Sequence, residues 1–191
     1  MVLNTNFKKN IKTDRLLLTF PDSLTFELAA EVYSVIEESK KELQKFLPWA
    51  WTVDSAEKEF ISLKDYAFKN WVDKKGFFYF IRNKKTNEFL GAIDLMDVSK
   101  KNKSGEIGFW LKTKATGNGY MKEALLALEA EAFKNGFHRI QIGNDPKNIK
   151  SVNVTKNAGY HLDGVLRQNI FDEHANVFCD TNIWSKINPS A

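Results

Sequence analysis

The sequence predicts an α+β, mixed α/β fold in which helices flank one central, mostly antiparallel sheet of about seven strands. Three observations carry this expectation. Apolar residues recur at helical spacing from about Ser23 to Gly76; the period then falls to that of strands for three runs in succession; beyond them helical and strand patterns alternate to the end. The chain has 191 residues, 43% hydrophobic and 27% charged, enough for one large core. Repeats, low-complexity tracts and proline-rich linkers are missing from it, so residues 1–191 read as a single domain, with 1–10 as a candidate flexible arm.

"DRLLLTF" (14–20) is a short strand closed by Pro21, after which Asp22 or Ser23 offers a helix cap. Phe26, Ala29, Ala30, Tyr33 and Ile36 then mark the first helix. A further short helix through Leu43 and Phe46 ends before Pro48, because the residue preceding proline avoids the helical region. Asp54 and Glu57 have capping-box spacing for a third helix, whose face would be Phe60, Leu63, Lys64, Ala67, Phe68 and Trp71, up to a stop at Gly76. "FFYFIRN", "EFLGAIDLMDV" and "GEIGFWLK" are separated by short polar segments, as in an antiparallel meander. Met121, Ala124, Leu125, Leu128 and Ala132 share one face of the next helix, which ends near Asn135 and Gly136. "FHRIQIG" is a strand, "NIKSVNVTKNAGY" a short helix stopped by Gly159, and "HLDGVLRQN" and "NVFCDTNIWSKI" are the last two strands.

Composition narrows the function classes. Net charge is +4 and the pI about 9.0, but the 28 basic residues are interleaved with 24 acidic ones, which argues against a nucleic-acid stripe and leaves room for a polyanionic ligand. No apolar run approaches the ~18 residues of a membrane span, and the N-terminus has no signal-peptide core, so neither membrane nor export is expected. The single cysteine, Cys179, lies in an alternating run and reads as a buried strand residue; no metal-ligand spacing surrounds it. A reducing, cytoplasmic setting and no metal are the expectations.

"TKATGNGYMKEALLALEAEA" (113–132) is the most informative stretch. Gly117 and Gly119 come off a strand and open a helix, where backbone can approach a ligand closely and the first-turn amides are unpaired. A helix start there would favour an anion by ~0.3–1 kcal/mol. Physics alone leaves two readings level, a phosphate-binding turn and an ordinary tight turn. Two nucleotide motifs fail: Tyr120 and Met121 follow Gly119 where a phosphate loop needs Lys-Ser/Thr, and Lys122 stands where the dinucleotide fingerprint needs a third glycine.

"IKTDRLLLTF", "GEIGFWLKTKATGNGYMKEALLALEAEAF" and "NIKSVNVTKNAGYHLDGVLRQ", in that order, resemble the GNAT superfamily of N-acetyltransferases, and within it the branch that acetylates N-terminal serine or alanine of ribosomal proteins. The resemblance spans roughly residues 11–187 and is strongest over 105–167. It implies a sheet splayed between its fourth and fifth strands, acetyl-CoA as cosubstrate, and a pyrophosphate cradle at Thr116, Gly117, Asn118, Gly119, Tyr120 and Met121. It implies that backbone at Phe109, Trp110 and Leu111 meets the pantetheine arm, and that one such amide polarises the thioester carbonyl. Asn148 and Ser151 are by spacing a helix cap and its first-turn partner; the resemblance adds an Asn148 contact to pantetheine and Ser151 as general acid toward the departing thiolate. A terminal amine is partly neutral already, so a weak carboxylate base or a water held by one suffices; Glu106 is the first choice and Glu57 the second. Tyr120, Trp49, Trp51 and Trp71 read as core or pocket wall. The partners implied are acetyl-CoA and an amine acceptor, in particular a ribosomal protein N-terminus, with no nucleic acid or membrane, for a monomer or homodimer. Still open are a small-molecule amine (polyamine, amino acid or antibiotic) and, in a different class, a non-catalytic acyl-CoA-binding module.

Overall fold

The computed structural model describes residues 3–190. One eight-stranded sheet runs through it, with strands β1 (Asn10–Lys12), β2 (Leu16–Thr19), β3 (Phe77–Asn83), β4 (Phe89–Ser99), β5 (Ser104–Leu111), β6 (Arg139–Asn144), β7 (His161–Asp172) and β8 (Val177–Ile187). Their order across the sheet is β1-β2-β3-β4-β5-β6-β8-β7, and every neighbouring pair is antiparallel except β5 and β6. The strand beyond the expected seven is β1, which pairs with β2 through a turn at residues 13–15.

Helices cover both faces because β3, β4 and β5 carry apolar residues on both. Phe77, Tyr79, Ile81, Ile93, Leu95 and Ile107 point to one side, toward helix α4 (Tyr120–Lys134); Phe80 and Phe89 point to the other, toward α1 (Phe26–Leu43) and α2 (Ala56–Ser62). The buried face of α4 includes the five residues that periodicity selected, Met121, Ala124, Leu125, Leu128 and Ala132. The last helix, α5 (Ile149–Asn157), follows β6.

Helix ends differ from the expected ones by one to three residues. Thr25, not Asp22 or Ser23, caps α1, its side chain accepting from the Leu28 amide. α1 then continues through Leu43 without a break, and the segment before the next helix is a 3-10 turn, Pro48–Trp51. Ser55, not Asp54, caps α2 by accepting from the Lys58 amide, while Asp54 pairs with the Lys58 ammonium at 2.6 Å. Past α2 the chain forms a π-helical segment, Leu63–Phe68, and then a short α3, Lys69–Asp73.

Residues 3–9 of the expected flexible arm are docked. Phe7 stacks on Phe77 with ring centroids 3.9 Å apart and meets Phe137 edge-on, and the Tyr79 hydroxyl donates to the Lys8 carbonyl at 2.6 Å. Burial of the Phe7 ring and the hydrogen bonds to the segment contribute against the cost of ordering it. Cys179 is half-buried on β8, opposite Ile170, where a fully buried position was expected. Met1 and Val2 of the arm and Ala191 lie outside the described residues.

Candidate active site

β5 and β6 pair only at Ser104–Glu106 with Arg139–Gln141 and then separate, so the sheet opens into a wedge. A cavity of about 1030 Å³ fills the wedge and continues under α1 and α2. The amide of Lys112 donates to the Leu90 carbonyl, and Leu111 stands opposite Gly91. By the alternation of an antiparallel ladder, the backbone groups of Phe109 and Leu111 therefore face the open gap, while those of Trp110 are used by β4. This corrects the expectation for Trp110: it contributes its indole to the cavity wall, against Trp49 and Phe89, both at 5.7 Å between ring centroids.

At one end of the cavity lies the glycine turn. Gly119 is the N-cap of α4 at φ 76°, ψ 2°, and Gly117 has φ 82°; both values fall in the left-handed region that side chains disfavour. Among the described residues no amide from 117 to 122 donates to a protein acceptor, so a run of N–H groups is free at the positive end of a 15-residue helix. Thr116, Gly117, Gly119, Tyr120 and Met121 line the cavity; Asn118 turns its side chain back onto the Ala115 and Thr116 carbonyls. Lys122 and Lys150 line the same end.

Sequence reasoning missed what holds this turn. Arg15, from the turn between β1 and β2, donates to the Asn118 carbonyl at 2.9 Å and to Glu123 of α4 at 2.7 Å, and its guanidinium lies 4.7 Å from the Tyr120 ring centroid. Thr13 donates to the other Glu123 oxygen at 2.6 Å. Burial pushes the Glu123 carboxyl up, but the hydrogen bonds from Thr13 and Arg15 outweigh it and hold the group below its ordinary range. "TDR" lies about 100 residues from α4 in the chain, and no local pattern couples them.

Asn148 caps α5, accepting from the Ser151 amide at 3.2 Å, and both residues line the cavity. The Ser151 hydroxyl accepts from Asn144 Nδ2 at 3.3 Å. Asn144, at the end of β6, accepts through its own oxygen from Trp184 Nε1 and Asn182 Nδ2, each at 3.2 Å.

Carboxylates occupy the floor of the cavity under α2. Glu106 of β5 accepts from Gln141 at 2.9 Å, and Asp94 of β4 accepts from the Tyr66 hydroxyl at 2.5 Å. Glycines give both room: a Cβ on Gly108 would come 2.9 Å from Asp94 Oδ1, and one on Gly143 3.1 Å from Glu106 Oε1. Burial pushes the Asp94 carboxyl up to about 6, against the opposing pull of the Tyr66 hydrogen bond; the charges of Asp97 and Glu106 push the same way as burial. Tyr66 reaches Asp94 from the π-helical segment, closed by the Lys69 amide on the Lys64 carbonyl. Glu57, the second choice of base, is exposed at the start of α2 and does not line the cavity. Glu59, two residues on, does line it and is 5% exposed. Its position is legible in hindsight: Glu59, Leu63 and Ala67 are spaced four apart on the buried stripe. Among the described residues no group of three or more His, Cys, Asp or Glu could hold a metal ion, and no helix is long and apolar enough to cross a membrane.

Residues 15–161 match the family model described as "Acetyltransferase (GNAT) domain", and the chain belongs to that family; it is an N-acetyltransferase. A ribosomal-protein-serine acetyltransferase of Escherichia coli is 28% identical over 172 residues, covering 87% of this chain and 93% of the relative. Among solved structures, the microcin C7 self-immunity acetyltransferase MccE in complex with acetyl-CoA and AMP superposes with a TM-score of 0.83 at 25% identity, over 92% of this chain and 93% of that one. RimL, a ribosomal L7/L12 alpha-N-protein acetyltransferase in complex with coenzyme A, has a TM-score of 0.85 at 22% identity, over 95% and 99% of the two chains; that likeness is one of fold.

Proposed function

We propose that the protein moves an acetyl group from acetyl-CoA to the N-terminal amine of a protein, a ribosomal protein in the first instance, by direct attack in a ternary complex. The observation that carries the cofactor assignment is the row of unpaired amides at 117–122, opening onto the wedge between β5 and β6 with Lys122 and Lys150 beside it. It suits a pyrophosphate, and the free backbone groups of Phe109 and Leu111 suit the amides of a pantetheine arm. The acceptor enters from the carboxylate end. Its nitrogen attacks the thioester carbonyl, the C–N bond forms as the C–S bond breaks, an amide in the gap polarises the carbonyl oxygen, and Ser151 protonates the thiolate. The amine's proton leaves to a water held by Glu106, with Asp94 as the neighbouring acceptor, and water in the cavity returns a proton to Ser151, so the turnover leaves every group as it began. The ribosomal acceptor is supported by the name of the Escherichia coli relative, and such an acceptor would put the reaction in the cytoplasm.

The test combines cofactor titration with a thiol-release assay over an amine panel that includes peptides with free N-terminal serine or alanine, polyamines and aminoglycosides. Peptides are expected to be acetylated with the highest kcat/KM; release with polyamines or aminoglycosides alone would move the acceptor to a small molecule. Gly119→Asp puts a carboxylate and a strained backbone where the pyrophosphate is to sit, so acetyl-CoA binding should be abolished. Unchanged affinity in that folded variant would remove the cradle from the reading.

A further inference from the structure

Glu59 is a carboxylate without a protein partner, at a place where one would be expected. It is 5% exposed, and no hydrogen bond or salt bridge reaches its side chain among the described residues. Among the described residues the sealed and partnerless side-chain atoms are Glu129 Oε2 and the Tyr160 hydroxyl; the Glu59 oxygens differ from them in keeping contact with open space. That space is the cavity, which Glu59 lines together with Ser62, Leu63 and Tyr66 of the same helical face. The walls around it are apolar: Val32, Ile36 and Leu43 of α1 border the same cavity. Burial alone pushes its carboxyl up to about 7. A carboxylate in such surroundings is costly unless a positive or donating group meets it, and the only approach left open is from the cavity.

We propose that Glu59 receives a second positive charge of the acceptor, distinct from the amine that is acetylated. The reading rests on the acetyl-transfer function above and narrows its substrate class. The reacting amine is placed by Glu106 and Asp94, under Tyr66. Glu59 lies seven residues before Tyr66 on the helix, roughly 10 Å away at 1.5 Å per residue. An acceptor that satisfies both ends carries two cationic groups about 10 Å apart: a peptide with a basic side chain near its third residue, at ~3.3 Å per extended residue, or a polyamine. A substrate with one charge leaves Glu59 as unmet as it is in the free protein.

Two matched pairs of acceptors test this and separate the two sources. One pair is a serine-initiated tetrapeptide amide with lysine or norleucine at its third position; the other is spermine and a monoamine of equal chain length. Wild type should favour the charged member of at least one pair by about tenfold or more in kcat/KM, through KM, and Glu59→Gln should erase that preference while leaving the uncharged member unchanged. Preference in the peptide pair names a basic protein N-terminus, and preference in the amine pair names a polyamine. Equal use of charged and uncharged members by wild type, or an equal loss of both in Glu59→Gln and in Glu59→Met, overturns the proposal while acetyl transfer stands. If no amine is acetylated, the functional reading fails first. Equilibrium binding of the lysine peptide and of spermine to the CoA-loaded protein then gives the answer for Glu59: tighter binding by wild type than by Glu59→Gln supports it, and equal or undetectable binding overturns it.

Discussion

Asn144 can present its amide to Ser151 in one orientation only. Trp184 Nε1 donates and cannot accept, so the Asn144 atom that faces it is the oxygen, and the nitrogen is turned to Ser151. The serine hydroxyl is thereby an acceptor on that side, and its proton is free for the cavity. Ser151→Ala should lower kcat roughly 10- to 100-fold with nearly unchanged affinity for acetyl-CoA; full turnover would take the serine out of the chemistry. Glu59 makes a stability prediction of its own. Its folded-state value of about 7 lies above the ordinary 4.5, so the native state holds the proton more tightly than the unfolded chain. Stability is fully present below about pH 4.5 and falls as pH rises toward 7, by up to about 3 kcal/mol. Thermal unfolding of the ligand-free protein against pH should show wild type losing Tm over that window relative to Glu59→Gln, with the two curves parallel outside it. The buried stripe through Leu63 and Ala67 extends back by four residues to Glu59, so period alone could point to it; a charged residue on an otherwise apolar face is what obscured it.

At the scale of elements, the glycine turn is held by groups outside α4. Arg15 ties the Asn118 carbonyl to the first turn of the helix through Glu123, and Tyr120 lies against its guanidinium. The ion pair is too exposed to contribute much to stability, with Arg15 49% and Glu123 18% exposed. Its effect belongs to the shape of the loop. Arg15→Ala is expected to weaken CoA binding about tenfold in calorimetry by letting the row of amides disperse, and to raise KM for acetyl-CoA at little cost in kcat. Acetyl-pantetheine, which has no pyrophosphate, should be used equally well by wild type and variant; an equal loss with both donors would make Arg15 merely structural. The glycines themselves were legible, since a turn between a strand and an amphipathic helix needs only local spacing. The arginine was not, because a contact across 108 residues leaves no periodic trace.

Across the whole molecule, the cavity wall carries both signs of charge. Lys122 and Lys150 stand where α4 and α5 begin, with Glu42 within the electrostatic reach of Lys150 and Asp145 three residues before the Asn148 cap, and Glu59, Asp94 and Glu106 line it under α2. The net charge of +4 therefore says less than the placing of individual groups, and the free amides at 117–122 rather than a surplus of cations mark the anion end. The order of strands β2 to β8 with α4 and α5 between them, the α4 face, the glycine turn and the pair Asn148 and Ser151 were determined by the sequence itself, through period, caps and spacing that act within a few residues. The docking of the arm by Phe7, the turning of the Trp110 backbone toward β4, the bracing by Arg15 and the opening of the Glu59 carboxylate onto the cavity were decided by the tertiary structure. Each of these depends on which groups distant segments bring together, and burial and hydrogen bonding are settled by that meeting rather than by local pattern.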